Sequence, residues 1–248
     1  MLVALLVAGG GCGGSPTVPT PVTARPTPAP EVPAPPAPPA PILTKLRFLA
    51  FGDSLTEGDV KFAPSSALTA GGTQSYPYKL QDMLRERYAG QLPVVLNAGL
   101  GGEKAADAGP RLTESLDEAN PEVVLLMDGA NDLLAFGEDG VPASVDAMKD
   151  LIRAVRAHGA IPIVLTLPPQ RPGTPKTSGA SAVPLFNRDL IRTAAVEGVM
   201  VIDVYSQFDL SLQGPDGLHP SEAGYARIAQ ICFDALKIAY EQAATPVR

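Results

Sequence analysis

The 248-residue sequence has no tryptophan, only two cysteines and only two histidines. Two cysteines, Cys12 and Cys232, are too few for a disulfide framework. Positive charge is also scarce: 19 Lys and Arg stand against 26 Asp and Glu, for a formal net charge of −7. Without a basic cluster, the chain is a poor candidate for binding nucleic acid or an anionic membrane surface. There is no GxxxxGK[ST] phosphate loop and no GxGxxG turn after the first strand, which argues against a nucleotide-binding domain. The missing tryptophan removes the best sugar-stacking side chain, although six tyrosines remain. No internal repeat is visible. The hydrophobic share is 45%, enough for the core of one domain of about 200 residues with an appendage.

The appendage is the N-terminal segment. Residues 1–8, MLVALLVA, form an apolar run too short to span a bilayer and similar to the core of a secretory signal. The run leads through Gly9-Gly10-Gly11 into Cys12. Small residues before a cysteine resemble a bacterial lipoprotein processing site, in which Cys12 would carry a lipid and anchor the chain to a membrane. Gly9 stands where such sites usually carry leucine, and a plain secretion signal cut nearby is the other reading. Both make residues 1–14 an export segment and place the protein in the cell envelope or outside the cell. Residues 15–41 then hold twelve prolines among 27 residues. Proline lacks an N–H and fixes φ, so this stretch joins neither helix nor sheet. Extended at ~3.1 Å per residue, it reaches roughly 80 Å. Such a linker suits a domain that stands off a surface; a ligand for a recognition domain is the alternative.

From residue 42 to 248 the pattern is that of a folded domain. Short runs of Val, Ile and Leu occur at Leu46–Phe51, Pro93–Leu96, Val123–Met127, Ile161–Leu167 and Val199–Val204. They do not alternate with polar residues, which suits strands of a parallel sheet buried on both faces. Helical periodicities lie between them. Leu80, Met83, Leu84 and Tyr88 share one face, with Ser75 as N-cap and Pro77 in the first turn. Leu112, Leu116 and Ala119 mark a second helix with Pro110 at its start. Val145, Met148, Ile152 and Val155 mark a third, between Pro142 and Gly159. Phe186, Leu190 and Ala194 mark a fourth, and a last helix spans 221–240. The alternation predicts an α/β fold, a three-layer α/β/α sandwich around a five-stranded parallel sheet. In such sheets the site forms at the carboxyl ends of the strands.

Four motifs follow four of those strands. The first strand ends in Gly52-Asp53-Ser54-Leu55-Thr56-Glu57-Gly58, which exposes Ser54 in a glycine-flanked turn opening a helix. Alone, Ser54 reads equally well as a capping serine. Asp216-Gly217-Leu218-His219-Pro220 precedes the last helix. Imidazole suits proton transfer at neutral pH, and Asp216 is placed to orient His219 through its other ring nitrogen. The other histidine, His158, falls at a helix C-terminus, where it complements the dipole. Asn97-Ala98-Gly99-Leu100-Gly101-Gly102 follows the second strand and Gly129-Ala130-Asn131-Asp132 the third. An amide side chain and a glycine N–H beside Ser54 would form an oxyanion hole. Cys232 lies in an apolar helical run and reads as a core residue.

These blocks, in this order, resemble those of the SGNH (GDSL-type) hydrolase family over residues 45–241. The resemblance implies a flavodoxin-like five-stranded sheet and a serine esterase. It makes Ser54 the nucleophile and an oxyanion donor through its N–H, His219 the base and then the acid, and Asp216 the group that orients it. It also implies oxyanion donors at Gly102 and Asn131, with Gly99 and Gly101 close rivals of Gly102. It calls for no metal and no organic cofactor. Asp53, Asn97 and Asp132 take structural roles, and Glu57 and Glu103 are read as solvated or as local hydrogen-bond partners.

The mechanism is better determined than the substrate. Segments 59–75, 168–184 and 206–215 should rim the pocket and set specificity. Export makes a cytosolic acyl-CoA a poor substrate, and no extended apolar lid is visible. The reading is a monomeric esterase for short-chain acyl groups on a small molecule or a glycan. A lysophospholipase or thioesterase for longer chains, a carbohydrate deacetylase and a non-catalytic surface-binding domain are the alternatives.

Overall fold

Apolar runs without alternation need cover on both faces, and the computed structural model gives them that cover. It describes residues 13–14, 40–58, 74–174 and 176–243. Residues 1–12 of the expected export segment, Cys12 among them, nearly all of the proline-rich stretch and most of the rim segment 59–75 lie outside the described residues. The fold lies in the unit formed by residues 39–248. Its elements in chain order are β1 (Ile42–Leu43), β2 (Arg47–Gly52), α1 (Ser54–Glu57), α2 (Tyr76–Arg87), β3 (Val94–Gly99), α3 (Gly109–Ala119), β4 (Val123–Met127), α4 (Ala130–Phe136), α5 (Val141–Ala157), β5 (Ile161–Leu165), α6 (Val183–Glu197), β6 (Met200–Ile202), α7 (Glu222–Tyr240) and β7 (Glu241–Gln242).

Five strands form one parallel sheet in the order β3-β2-β4-β5-β6. All five residues of β4 are buried, as a central strand covered on both faces requires. Helices α2 and α7 pack on each other, and α5 packs against both α3 and α6. Right-handed crossovers put these two groups on opposite faces of the sheet, giving three layers. Pro162 sits within β5, where a missing N–H would normally break a ladder. It is accommodated because β6 pairs with β5 only from Ile163 onward.

The helix ends follow from their residues. Pro77, Pro110, Pro142 and Pro184 all occupy the first turn of a helix, where an N–H would have no partner anyway. Ser221 caps α7 by accepting from the Gly224 N–H at 3.2 Å. Two elements differ from the sequence expectation. Helix α4 has only seven residues, too few to show a period. The small antiparallel pair β1–β7 joins the two ends of the unit, with Gln91 holding both the N–H and the carbonyl of Leu43.

From β2 the chain crosses outward to β3 and then returns past β2 to β4. The crevice of this switch lies beyond the carboxyl ends of β2 and its two neighbours. The register places Gly52 opposite both Gly99 and Met127, so the turns after these three strands start side by side. That closeness dictates glycine at position 52, where a Cβ would lie 1.9 Å from the Met127 carbonyl oxygen. Gly52→Ala should therefore cost about 3 kcal/mol of stability, as forced overpacking does. Urea unfolding monitored by circular dichroism measures it, and an unchanged midpoint would contradict the close approach.

Candidate active site

Asp53 is the first residue beyond β2, and its side chain is fully buried. One carboxylate oxygen accepts from the Leu55 N–H at 2.9 Å and caps α1; the other accepts from the Ala130 N–H at 3.2 Å. A single side chain thus ties the turn carrying Ser54 to the turn carrying Asn131. Thr56 adds a bond to the Met127 carbonyl at 3.3 Å. On the β3 side, the Asn97 amide donates to the Thr56 and Glu57 carbonyls and accepts from the Gly99 N–H. Asp132 accepts from the Ala105 N–H at 2.8 Å. Asp53, Asn97 and Asp132 therefore hold turns.

Ser54 opens α1, and His219 lies in the segment before α7. His219 Nε2 is 2.8 Å from Ser54 Oγ, and His219 Nδ1 is 2.6 Å from Asp216 Oδ2. The other Asp216 oxygen accepts from the backbone N–H groups of Leu218 and His219. Partial burial alone would raise the Asp216 carboxyl. The bonds from His219 and Leu218 outweigh it and hold the group well below the usual carboxylate range. Asp216 is thus an anion throughout the neutral range, placed to receive a proton-bearing Nδ1 and to stabilise an imidazolium. His158 sits apart at the C-cap of α5, 3.4 Å from Asp117.

The three rival glycines differ in what their N–H groups do. Gly99 donates to Asn97 Oδ1 at 2.9 Å and Gly101 to Glu57 Oε2 at 2.8 Å. Gly102 has a positive φ of 84°, and its N–H has no partner among the described residues. Nor does the N–H of Ser54, the first residue of its helix. Asn131 donates one amide hydrogen to the Glu103 carbonyl at 2.8 Å, which fixes the side chain and leaves the second hydrogen for another acceptor.

Beneath these turns lies a set of acidic side chains that the sequence reading did not assemble. Asp128, next after β4, is buried; Oδ1 accepts from the Gly129 N–H at 2.6 Å, and Oδ2 is buried without a hydrogen-bond partner. Burial, reinforced by the charge of Asp53, pushes its carboxyl well above the usual range. Burial likewise pushes Asp53 up to about 7, against the lowering effect of the Leu55 and Ala130 N–H groups. Of the two readings of Glu103, the structure has the hydrogen-bond partner and not the solvated acid: its side chain is 9% exposed and paired with Arg111 on α3. Arg111 also donates to the Ala98 carbonyl at 2.6 Å and the Gly52 carbonyl at 3.1 Å, and its guanidinium lies 4.0 Å from the Phe51 ring centre. Nothing local in the sequence signals it. Cys232 is fully buried on α7, and burial pushes its thiol up, which leaves it a poor nucleophile.

A cavity of about 680 Å³ opens above Ser54 and His219, with Gln74, Lys176, Glu222 and Tyr225 in its walls. Among the described residues, no group of three or more His, Cys, Asp or Glu side chains is arranged to hold a metal ion. The geometry supplies a half-buried hydroxyl facing the cavity, an imidazole within hydrogen-bond reach of it and, among the described residues, unpaired N–H donors at one end of the sheet.

The model of the GDSL-like lipase/acylhydrolase family matches residues 50–227. None of the curated proteins matches the chain. Among solved structures, the acetylxylan esterase Axe2 from Geobacillus stearothermophilus is 22% identical, with 77% of this chain and 94% of that chain covered and a TM-score of 0.63. The lipase/acylhydrolase from Enterococcus faecalis is 19% identical, with 80% and 98% covered and a TM-score of 0.63. LAE5, an α/β hydrolase from the metagenome of Lake Arreo, Spain, is 22% identical, with 79% and 96% covered and a TM-score of 0.64. At these identities the likeness is one of fold.

The raised carboxyls make stability depend on pH in a definite direction. Asp53 and Asp128 keep their protons in the folded state at pH values where the unfolded chain has lost them. Their contribution is complete below the unfolded value near 4 and is lost as pH rises toward and past 7. Folding stability should therefore fall by a few kcal/mol over that window. Asp128→Asn, an uncharged isostere, should flatten the fall. Urea unfolding at a series of pH values reads both, and an equal slope in the variant would contradict the protonated Asp128.

Proposed function

Because the chain belongs to the GDSL-like lipase/acylhydrolase family, we propose that it is a serine esterase cleaving short-chain acyl esters through an acyl-serine intermediate. The observation that carries this reading is the unbroken hydrogen-bonded line from Ser54 Oγ through His219 to Asp216. Ser54 Oγ attacks the ester carbonyl while His219 Nε2 takes its proton. Asp216 holds the ring and balances the imidazolium. The N–H groups of Ser54 and Gly102 and the free amide hydrogen of Asn131 receive the anionic oxygen of the tetrahedral intermediate. His219 then returns the proton to the departing alcohol and leaves the acyl group on Ser54 Oγ; it next takes a proton from the water that attacks the acyl carbonyl and gives it to Ser54 Oγ as the acid departs.

The pocket walls favour a small acyl group on a polar alcohol. Among the described residues their apolar side chains are those of Pro215, Pro220 and Tyr225; Gln74, Lys176, Glu57 and Glu222 supply polar ones. An ester of a small molecule or of a glycan fits that balance, and the fold is shared with an acetylxylan esterase. With residues 1–14 as export segment and Cys12 as the lipid-bearing cysteine, the domain 42–248 acts as a monomer in the cell envelope.

Hydrolysis of p-nitrophenyl esters of rising chain length should peak at acetate or butyrate; a peak at long chains would replace the short-chain reading with a lipid one. Ser54→Ala and His219→Ala should each remove nearly all turnover with an unchanged circular dichroism spectrum. Full activity in either variant would overturn the mechanism. Asn131→Ala should lower kcat by ~10²–10³ and leave KM near its original value. A change confined to KM would remove Asn131 from the oxyanion hole.

A further inference from the structure

The arm that carries Asp216 and His219 is bound to the segment that follows β5. Arg171 accounts for three of these contacts: its N–H donates to the Gly217 carbonyl at 2.9 Å, and its guanidinium to the carbonyls of Gln213, at 3.1 Å, and Gly214. The Gln213 amide donates back to the Pro169 carbonyl, and the Thr174 hydroxyl donates to the Asp216 carbonyl. Gly217 must be glycine here: its φ is +76°, and a Cβ would lie 2.8 Å from both the Arg171 carbonyl oxygen and Thr174 Oγ1. This strap delivers one more group. Lys176 Nζ lies 3.3 Å from Asp216 Oδ2, the same oxygen that His219 Nδ1 contacts at 2.6 Å.

We propose that Lys176 is a positioning residue that sets the proton affinity of His219 through the carboxylate oxygen they share. The sign follows from charge. When Ser54 gives up its proton, His219 becomes a cation beside an ammonium that already draws on Asp216 Oδ2. The ammonium opposes that charge, so His219 holds a proton less tightly than with Asp216 alone. The base then stays neutral, and ready to accept, to lower pH. Later in the same acylation step the opposition helps His219 hand its proton to the leaving alcohol. Both effects are moderate, because Lys176 is 54% exposed and solvent screens it.

The other charged groups around His219 are otherwise engaged. Glu57 on α1 accepts from the Gly101 N–H, Glu222 in the first turn of α7 pairs with Lys79 of α2 at 3.6 Å, and Arg171 points at carbonyl oxygens. Lys176 is the cation lining the cavity among the described residues. This inference rests on the reading of His219 as the base, and its test needs no turnover.

The experiment is a 1H–15N NMR titration of the His219 ring in the full chain, with His158→Gln assigning the signals of the only two histidines. Lys176→Met should move the His219 midpoint to higher pH by roughly 0.5 unit, and the acid limb of the kcat/KM profile should move with it. Lys176→Arg, which keeps the charge, should restore the wild-type midpoint. An unchanged midpoint in Lys176→Met, or an Arg variant that titrates like the Met variant, would overturn the proposal. A wild type that hydrolyses no ester would instead overturn the esterase reading, while the titration still decides the role of Lys176.

Discussion

The two hydrogen bonds of the Asp53 carboxylate join the ends of β2 and β4, and the geometry above the sheet depends on that joint. Ser54 stands one residue after Asp53, and Asn131 one residue after the Ala130 N–H that Asp53 holds. Moving either turn would separate the hydroxyl from the amide. The joint is possible because Gly52 lets the two backbones approach and because the parallel register sets Gly52 beside both Gly99 and Met127. Arg111 extends the same tie to the third strand end, reaching the Gly52 and Ala98 carbonyls at once. A rigid floor of this kind is what preorganised donors need, since they must not reorganise as charge develops. It has a cost in buried carboxyl groups. Asp53 and Asp128 are driven toward their neutral forms, and Arg111 is committed to Glu103.

The second half of the site is built differently. His219 and Asp216 stand on an irregular arm, not on a strand end. Their placement comes from backbone carbonyls gripped by Arg171, Thr174 and Gln213, with Ser221 capping the helix that follows. A floor tied by buried carboxylates and an arm tied by a strap meet at one 2.8 Å contact, His219 to Ser54. Loops of this kind vary readily on a shared scaffold, and they also form much of the pocket wall.

Most of the architecture could be read from the chain because burial on both faces leaves an unmistakable pattern. VVLLM at Val123–Met127 is such a run, and it is the fully buried centre of the sheet. The motif residues Ser54, Asn131, Asp216 and His219 were legible for a different reason: each follows a strand or precedes a helix, and topology gathers such positions at one end. What was not legible depends on pairings across long stretches of chain. Arg111 meets Gly52 from 59 residues away, and Thr174 meets Asp216 from 42. Glu103 could be read either as solvated or as a local hydrogen-bond partner, and its partner stayed hidden because the visible period of that helix, Leu112, Leu116 and Ala119, does not include Arg111. Asp128 drew no reading from the sequence, because only the paired register of Gly52 and Met127 sets it beside Asp53. Helix α4 was too short to leave a period.

The central claim is that Ser54 is the atom on which the acyl group rests during turnover. Acid quenching of the protein during hydrolysis of p-nitrophenyl acetate, followed by peptide mass mapping, tests it most directly. The account predicts one acetyl group on the peptide containing Ser54, lost when turnover is allowed to finish and absent from the Ser54→Ala variant. Steady hydrolysis with Ser54 unmodified, or an acetyl group that forms and clears at another side chain, would contradict it.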